Sequence, residues 1–428
     1  MQVQTIESGT SSTDRSATLS TRFREVRQLT RTLCEPLVTE DYVIQTMQDV
    51  SPTKWHLAHT TWFYETFVLT PFVEGYEVFD PDFAYLFNSY YVQAGDRHCR
   101  PKRGLLSRPT VAQVYQYREH VDRQMALLFE TERDHETELH RRIEIGLNHE
   151  QQHQELILTD IKHVLSENPL RPVYRKREQI GHAALPPPAT WIEHDGGLQT
   201  IGHQGSDFCY DNEGPVHQYF IEPFAIASRL ATNREYVEFM EDGGYRRTEL
   251  WLSEGWSEVE ANGWTAPGYW EYIDGQWWSF TLHGFRPVGL DEPVCHVSYF
   301  EADAYARWAD ARLMTEFEWE VAGKGVEIDG NFVEQENFHP VPAPGKSGSL
   351  EQMFGDVWEW TRSQYAPYPR YKPEPGALGE YNGKFMCNQF VLRGGSVATS
   401  RTHIRRTYRN FFPPAARWQF TGIRLARM

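Results

Sequence analysis

The sequence has few cysteines and no long apolar run, and each of these features argues against a particular class of protein. Five cysteines occur among 428 residues, all as single residues without CxxC spacing, so we expect free thiols in a reducing cytoplasm. No stretch approaches the roughly 20 apolar residues that a membrane helix needs. The Ser- and Thr-rich N-terminus also lacks the apolar core of a signal peptide. We therefore expect neither a membrane-embedded nor a secreted protein.

Positive charge is also scarce, since 42 Lys and Arg residues stand against 59 Asp and Glu residues, for a formal net charge of −17. Such a surface repels phosphate backbones, so nucleic acid is not an expected partner. Aromatic residues, by contrast, are plentiful, with 14 Trp, 22 Tyr and 24 Phe, and Trp and Tyr crowd the second half. Aromatic, Gly-punctuated sequence is typical of irregular β structure with long packed loops.

The pattern along the chain predicts a two-domain α+β protein. Residues 1–20 have almost no large apolar side chains and are predicted to form a disordered tail. Helical periodicity predicts a four-helix bundle over residues 21–167, and a Pro-rich linker follows at 168–190. Residues 191–428 combine short alternating runs with Gly pairs, and we predict two helices there, Asn233 to Glu241 and Tyr299 to Ala311.

The sharpest local signal is the run from His149 to His153, HEQQH, within a strongly helical segment. Residues four apart lie on neighbouring turns, so two imidazoles can bind one metal. The run also matches the zinc-protease pattern H-E-x-x-H. The extended protease pattern needs Gly and His where this chain has Leu156 and Thr159, so a protease is not favoured. Two histidines that merely line a polar stripe of the bundle remain an alternative.

A third imidazole comes from the segment Trp55-His56-Leu57-Ala58-His59. His59 is in phase with Trp55 and Trp62 on the inward face of its predicted helix, whereas His56 is predicted nearer the solvent side and is the competing ligand. Three neutral imidazoles leave open positions on a divalent metal, which suits a zinc hydroxide or Fe(II). Spacing does not choose between the two metals.

The same segments carry a resemblance to a known family. SPTKWHLAHTTWFYETF, RGLLSRPTVAQVYQYR and HEQQHQE resemble the helical DinB-like domain of the sulfoxide synthases of ergothioneine biosynthesis. The later segments PVCHVSYFEADAYARWADARLMTEFEWEVAGK, GDVWEWT and VLRGGSVATSRTHIRRTYRN resemble the formylglycine-generating-enzyme fold, a C-type-lectin-like domain. The two catalytic cysteines of formylglycine-generating enzymes are replaced here by Thr399 and Ile404, which excludes their copper-thiolate chemistry.

The resemblance implies an enzyme with His59, His149 and His153 as ligands of Fe(II). It would use O2 to join the thiol of cysteine or γ-glutamylcysteine to C2 of the hercynine imidazole, giving a sulfoxide. One alternative is the ovothiol-type synthase, which normally carries an appended methyltransferase domain. The sequence ends at GIRLARM without one, which favours the ergothioneine branch. The other alternative is a zinc-dependent DinB-like thiol transferase.

Several substrate contacts are implied by the same resemblance. Arg100 and Arg103 match the positions that hold the carboxylates of the sulfur substrate, and Gln152 would hydrogen-bond the carboxylate of hercynine. Three further implied contacts lie near the C-terminus: Asn410, Phe411 and Phe412. Members that use γ-glutamylcysteine carry an acidic residue near Phe412 and an Arg at the position of Ala416. Their absence here favours free cysteine as the sulfur donor.

The reaction also needs a proton or hydrogen donor during oxygen reduction, for which a phenol is suited. We expect Tyr90 and Tyr91, in FNSYYVQAGDRHCR, to fill this role because they lead directly to the two arginines. In other members the tyrosine comes from the loop after GDVWEWT. The alternatives in this chain are therefore Tyr365, Tyr368 and Tyr371.

Overall fold

The computed structural model describes residues 12–131, 136–176, 186–345 and 348–428, which form two compact units, Met1–Ile161 and Lys162–Met428. Residues 1–11 of the predicted tail lie outside the described residues. From Ser12 onward the chain is helical, so the tail prediction is wrong for residues 12–20. Packing explains the difference, because Leu19 and Phe23 are both buried in the first unit and outweigh the poor helix propensity of the Ser- and Thr-rich segment.

The first unit is helical, as predicted. Its helices are α1 (Ser12–Cys34), α2 (Thr53–Tyr64), α3 (Thr70–Phe72), α4 (Asp82–Phe87), α5 (Val111–Phe129) and α6 (Glu136–Glu167), the last of which continues into the second unit. A π-helical stretch, Glu65–Leu69, connects α2 and α3. Helix α1 ends at Cys34 because Pro36 disfavours helical backbone at the preceding residue. Thr110 caps α5 by accepting a hydrogen bond from the backbone N–H of Gln113.

Helix α2 is the central element of the first unit. All of its residues from Thr53 to Tyr64 are buried, including the polar ones. Even Lys54 is enclosed, and its Nζ donates hydrogen bonds to the backbone carbonyls of Leu106 (2.6 Å) and Pro109 (2.9 Å). A helix that is buried on every side has no solvent face, so its histidines are held in fixed positions.

The second unit mixes short helices and strands. The helices are α7 (Asn233–Glu241), α8 (Ser253–Asn262), α9 (Tyr299–Trp308), α10 (Glu316–Ala322) and α11 (Glu380–Gly383). The strands are β1 (Trp191–His194), β2 (Gly197–Ile201), β3 (His217–Ile221), β4 (Phe224–Ala227), β5 (Trp270–Ile273), β6 (Gln276–Thr281), β7 (Gly284–Pro287), β8 (Arg312–Leu313), β9 (Trp358–Gln364), β10 (Phe390–Arg393), β11 (Asn410–Phe412), β12 (Thr421–Gly422) and β13 (Leu425–Arg427). Helices α7 and α9 were predicted from sequence, whereas α8 and α10 were not.

Four small sheets organise the described strands. Their orders are β1-β4-β13-β8, β11-β10-β9-β12, β2-β3 and β5-β6-β7. The β9–β12 pair is parallel and the other pairs are antiparallel. A helical first half followed by a strand-and-loop second half confirms the predicted α+β class. The described residues of the predicted linker, 168–176 and 186–190, contain no helix or strand. Its remaining residues, 177–185, lie outside the described residues.

Buried ion pairs and aromatic side chains hold the second unit together. Arg424 Nε lies 2.9 Å from Glu359 Oε2, and Trp319 donates its indole N–H to the same oxygen at 3.0 Å.

In the part of the chain that the structure describes, no helix is long and apolar enough to cross a membrane.

Candidate metal centre

Three histidines meet inside the first unit. Helix α2 contributes His59, and α6 contributes His149 and His153 from successive turns. One ring nitrogen of each lies within 4.8 Å of the others, and this is the one group of three or more potential metal ligands among the described residues. The three side chains are 1%, 5% and 8% exposed, respectively. We call His59, His149 and His153 the histidine cluster.

The distances and tautomers within the histidine cluster fit a metal ion. His59 Nδ1 lies 2.6 Å from the carbonyl oxygen of Phe87, which can only accept, so Nδ1 carries the proton and Nε2 has a free lone pair. That Nε2 lies 3.1 Å from Nε2 of His149. Two nitrogen ligands bound at about 2.1 Å and at right angles to each other are about 3.0 Å apart. The observed separation therefore matches adjacent positions on one metal.

The protein environment keeps these imidazoles neutral, which is the form that binds metals. Burial lowers the pKa of His149 to about 3, although Glu150 opposes the shift. Burial, followed by the neighbouring His149, lowers the pKa of His59 well below its usual range. The same two causes lower the pKa of His153. The histidine cluster thus offers three uncharged nitrogen donors.

Aromatic rings enclose the cluster, as the phase of α2 predicts. His59 is stacked between Trp55, at a ring separation of 4.6 Å, and Trp62, at 5.5 Å. Phe63 lies against His149 at 4.7 Å. These rings restrict the imidazoles to one orientation and exclude water from their faces.

The prediction for His56 is wrong, because this residue is 2% exposed rather than near solvent. Its Nδ1 lies 2.8 Å from Nδ1 of His153, and its Nε2 lies 3.0 Å from Oδ2 of Asp160. His56 therefore stands behind His153 and is not part of the cluster. Sequence reasoning missed Asp160, although it follows His153 by seven residues, about two helical turns along the same face.

Glu150 is the general base in the protease pattern, but it has a structural role here. It is fully buried and accepts hydrogen bonds from Arg27 Nη1 (3.0 Å), Thr30 Oγ1 (2.7 Å) and Arg118 Nη2. Burial alone would raise the pKa of Glu150, but Arg118 and Arg27 outweigh it and hold that pKa at about 2. A carboxylate held in this way is not available to activate water, which removes the basis of the protease alternative.

The loop after α4 brings the predicted tyrosines beside the cluster. Ser89 Oγ lies 3.5 Å from His59 Nε2. The next residue, Tyr90, accepts a hydrogen bond of 2.8 Å from Nη1 of Arg100. Tyr91 is buried, and its ring lies 5.6 Å from that of Trp62. Arg100 therefore holds the Tyr90 phenol, and the Tyr91 ring packs on a tryptophan that stacks on His59.

The two predicted arginines, Arg100 and Arg103, have no carboxylate of the described residues within ion-pair distance. Arg103 is 4% exposed, lies 3.3 Å over the ring of Trp55 and donates from Nη1 to Ser51 Oγ at 2.9 Å. Burial lowers its pKa to about 9, which reflects the cost of an enclosed cation. Arg100 donates from Nη2 to the carbonyl of Asp49 at 2.6 Å. Two guanidiniums without an acidic partner can bind an anion.

The remaining predicted contacts fall in two places. Gln152 is half-buried on α6, directly before His153. Asn410, Phe411 and Phe412 form β11 in the second unit. There, Phe411 stacks on Tyr365 at 4.2 Å and Phe412 meets Trp418 edge-on at 5.8 Å.

The alternative tyrosines are engaged within the second unit. Asn212 donates from Nδ2 to the Tyr365 hydroxyl at 2.8 Å. The Tyr368 hydroxyl donates to Glu316 at 3.2 Å. The Tyr371 hydroxyl donates to Asp211 at 2.9 Å. Tyr365 and Tyr368 are also almost fully buried.

The segment expected to carry catalytic cysteines in formylglycine-generating enzymes is a packed loop here. Thr399 is fully buried, and its Oγ1 accepts a hydrogen bond of 2.9 Å from the backbone N–H of Ser396. Ile404 is 4% exposed. The cysteines of the chain are all unpaired thiols located elsewhere: Cys34, Cys99, Cys209, Cys295 and Cys387.

Comparison with protein families assigns both halves of the chain. Residues 22–157 match the DinB superfamily. The second half matches the sulfatase-modifying factor enzyme 1-like domain over residues 177–346 and 334–428. These two assignments agree with the helical first unit and the α+β second unit.

Curated proteins that are similar to the chain include hercynine oxygenases of several species. The hercynine oxygenase of Mycobacterium tuberculosis is 37% identical over 238 residues, which cover 50% of this chain and 55% of that protein. The hercynine oxygenase of Mycolicibacterium smegmatis is 33% identical over 319 residues, covering 67% of this chain and 71% of that protein. Ergothioneine biosynthesis protein 1 of Schizosaccharomyces pombe is 28% identical over 53% of this chain and 29% of its own length. The chain thus spans about half the length of the first relative.

Proposed function

Because the chain belongs to the hercynine oxygenase family, one member of which is 33% identical over 71% of its length, we propose that it is a non-heme Fe(II)- and O2-dependent sulfoxide synthase. It joins the thiol of cysteine to imidazole C2 of hercynine. The observation that carries this proposal is the histidine cluster, three buried and neutral imidazoles, together with Arg100 and Arg103, which form no ion pair with a carboxylate of the described residues.

The proposed reaction balances without an external reductant. The C2–H bond of hercynine and the S–H bond of cysteine break, and a C–S bond and an S–O bond form. One atom of O2 ends on sulfur and the other leaves as water together with the two hydrogens. The two substrates supply the four electrons that O2 accepts. No binding site for a nicotinamide or flavin is therefore required.

His59, His149 and His153 would hold the metal. Bound Fe(II) would supply one-electron chemistry with O2 and would lower the pKa of the substrate thiol. The chain itself contributes neutral donors and a dry, aromatic enclosure formed by Trp55 and Trp62. Such an enclosure strengthens electrostatic interactions and limits loss of reactive oxygen species to solvent.

The carboxylate of the sulfur substrate is assigned to Arg100 and Arg103. The stacking of Arg103 on Trp55 connects this anion site to the ring that also covers His59, so a bound thiol lies near the cluster. Gln152 is assigned to the carboxylate of hercynine. Asn410, Phe411 and Phe412 are proposed as substrate contacts on the family resemblance alone.

Free cysteine is the proposed sulfur donor. The positions that would meet a glutamyl arm are occupied by Phe412, which packs on Trp418, and Ala416, which is 4% exposed. Neither side chain carries charge, so a γ-glutamyl group would lose its ionic partners. We expect kcat/KM for cysteine to exceed that for γ-glutamylcysteine, and a preference for the dipeptide would contradict this assignment.

Tyr90 and Tyr91 are the proposed proton or hydrogen donors. Arg100 orients the Tyr90 phenol by donating to its oxygen, and Trp62 and Phe67 pack around the Tyr91 ring. The engagement of Tyr365, Tyr368 and Tyr371 inside the second unit supports this choice over the alternatives.

Metal replacement tests the proposal. Protein freed of metal without air is loaded with Fe(II) or with Zn(II), then supplied with hercynine, cysteine and O2. We expect the hercynyl cysteine sulfoxide with Fe(II) alone. Thiol-transfer activity that depends on Zn(II) would instead indicate the DinB-like transferase, and sulfur attached at C5 of the imidazole would indicate the ovothiol-type reaction.

Histidine variants connect that activity to the cluster. His149→Ala and His153→Ala should lose both metal and turnover, because two imidazoles compete poorly with water for Fe(II). His140→Ala is the matched control, since His140 is a buried histidine of α6 outside the cluster. Full metal occupancy in His59→Ala would show that the ligand set is wrong.

A further inference from the structure

A chain of hydrogen bonds leads away from the histidine cluster to a buried carboxylate. His153 Nδ1 lies 2.8 Å from His56 Nδ1, and His56 Nε2 lies 3.0 Å from Asp160 Oδ2. The three side chains are 8%, 2% and 4% exposed, so water does not replace these contacts. We call Asp160, His56 and His153 the carboxylate relay.

The donors and acceptors of the relay can be assigned from its acidic end. An ionised carboxylate only accepts, so His56 Nε2 carries a proton and donates to Asp160. In neutral His56 the other nitrogen, Nδ1, is then an acceptor. It must receive the proton of His153 Nδ1, which leaves His153 Nε2 as a lone pair for a metal. The opposite polarity would place a proton on His153 Nε2 and remove it from the ligand set.

The three members of the cluster differ in what lies behind them. His59 is supported by the neutral carbonyl of Phe87 at 2.6 Å. For His149, Nδ1 has no hydrogen-bond partner among the described residues. His153 is backed by the negative charge of Asp160, transmitted through His56. A carboxylate behind a ligand imidazole raises its basicity, so His153 is expected to be the strongest donor of the three.

Asp160 also connects the metal centre to the anion site. The backbone N–H of Ser51 donates to Asp160 Oδ2 at 2.8 Å, and the Ser51 hydroxyl accepts from Arg103 Nη1 at 2.9 Å. Ser51 stands two residues before α2 begins at Thr53. One carboxylate thus fixes the relay, the start of the helix that carries His59 and, through Ser51, the guanidinium of Arg103.

We propose that Asp160 and His56 are positioning residues that fix the tautomer of His153 and thereby set the affinity of the cluster for a divalent metal. The proposal rests on the proposed function only in placing the metal at this cluster. It adds two residues, neither of them a ligand, to the machinery of the centre.

Asp160→Asn tests the relay with little change in shape. The amide oxygen can still accept from Ser51, while the charge that orients His56 is lost. We expect an unchanged thermal midpoint of the metal-free protein, a 10–100-fold weaker Kd for Co(II) by chelator competition, and altered Co(II) d–d absorption bands. His56→Gln should give the same two metal readouts, and it decides the question if Asp160→Asn does not fold.

Two controls separate the relay from general packing. Asp122→Asn removes a carboxylate paired with Arg27 in the same unit and should leave the Co(II) Kd and spectrum unchanged. Ser51→Ala keeps the backbone contact to Asp160 but removes the acceptor of Arg103. It should raise KM for cysteine while the Co(II) Kd stays at the wild-type value.

The outcomes are distinct for the two proposals. If the Asp160→Asn or His56→Gln variant folds and binds Co(II) with the wild-type Kd and spectrum, the relay proposal is overturned. Wild-type protein that binds Co(II) and Fe(II) but forms no sulfoxide overturns the proposed function and leaves the relay to be decided by the Kd values. Wild-type protein that binds no divalent metal overturns both.

Discussion

Arg100 donates a hydrogen bond of 2.8 Å from Nη1 to the phenol oxygen of Tyr90. The same loop passes Ser89 close to His59 and continues into Tyr91, which packs on Trp62. A cation suited to a substrate carboxylate and two phenols therefore come from one segment beside the histidine cluster. If the proposed roles of Arg100 and Tyr90 hold, this arrangement would connect binding of the sulfur substrate to placement of the proton donor.

Removing one hydroxyl from this tyrosine pair should change the fate of O2. Tyr90→Phe or Tyr91→Phe keeps the ring and its packing, so the fold and metal content should persist. A positioned acid contributes on the order of 10²–10⁴-fold. Sulfoxide formation should therefore slow, or be diverted to dioxygenation of cysteine to its sulfinic acid, and mass analysis of the products distinguishes these results.

Tyr365→Phe is the matched control for the tyrosine variants, because its hydroxyl accepts from Asn212 inside the second unit. We expect it to retain rate and product. Unchanged turnover in Tyr90→Phe, Tyr91→Phe and the double variant, with loss in Tyr365→Phe, would transfer the donor role to the second unit.

Arg103→Met should weaken binding of the sulfur substrate. A hydrogen bond to a charged group is worth about 1.5–3 kcal/mol, which corresponds to roughly 10–100-fold in KM for cysteine. Arg108→Met is the control, since Arg108 lies exposed in the same loop. Steady-state kinetics with Fe(II)-loaded protein checks both variants. Equal KM values for Arg103→Met and wild type would place the substrate carboxylate elsewhere.

Glu150→Gln should destabilise the first unit rather than abolish a chemical step. The change leaves the buried guanidiniums of Arg27 and Arg118 without their shared carboxylate, and breaking such a pair costs about 3–5 kcal/mol. Thermal unfolding measures the loss, with the exposed Glu138→Gln as control. A stable Glu150→Gln protein that has lost turnover would instead make Glu150 a catalytic group.

Lys162 gives the second unit a specific pH dependence. Its Nζ lies 2.5 Å from His296 Nε2 and 4.6 Å from the centre of the Tyr269 ring. Burial lowers the pKa of Lys162 from 10.5 to about 7. Between these two values the unfolded chain holds the proton and the folded protein does not, so stability rises with pH across this window, by up to about 1.4 kcal/mol per pH unit.

The variant Lys162→Met removes this titration. The difference in thermal midpoint between wild type and Lys162→Met should therefore shift in favour of wild type as the pH rises from 7 to 9.5. The exposed Lys324→Met should show no such trend. Parallel curves for wild type and Lys162→Met would mean that the amine is charged in the folded protein.

The sequence predicts the helical half and the convergence of the three histidines well, because an i, i+4 pair and the phase of His59 with two tryptophans are local properties. It does not predict the environment of His56. Helix α2 is buried on all sides, so its periodicity distinguishes no solvent face, and a helical-phase argument misplaces that residue. The contact with Asp160 joins residues 104 positions apart, which no local pattern reveals.

In the second unit, the sequence predicts some of the helices but not others. Helices α7 and α9 follow clear N-cap signals at Thr232 and Ser298, each with Glu three residues later. Helix α10 has the same signal at Thr315, but it is short and lies within an aromatic segment whose apolar residues mask its period. The roles of β11 residues rest on family resemblance, because nothing in a short strand of Asn and Phe specifies a ligand.

Oxygen-18 labelling of the product tests the central claim most directly. Fe(II)-loaded protein is given hercynine, cysteine and oxygen-18 gas in unlabelled water, and the product is analysed by mass spectrometry. The account predicts a hercynyl cysteine sulfoxide with one labelled oxygen, at wild-type rate in His140→Ala and absent in His153→Ala. A product without label, or a sulfur-free product formed equally with Zn(II), would contradict it.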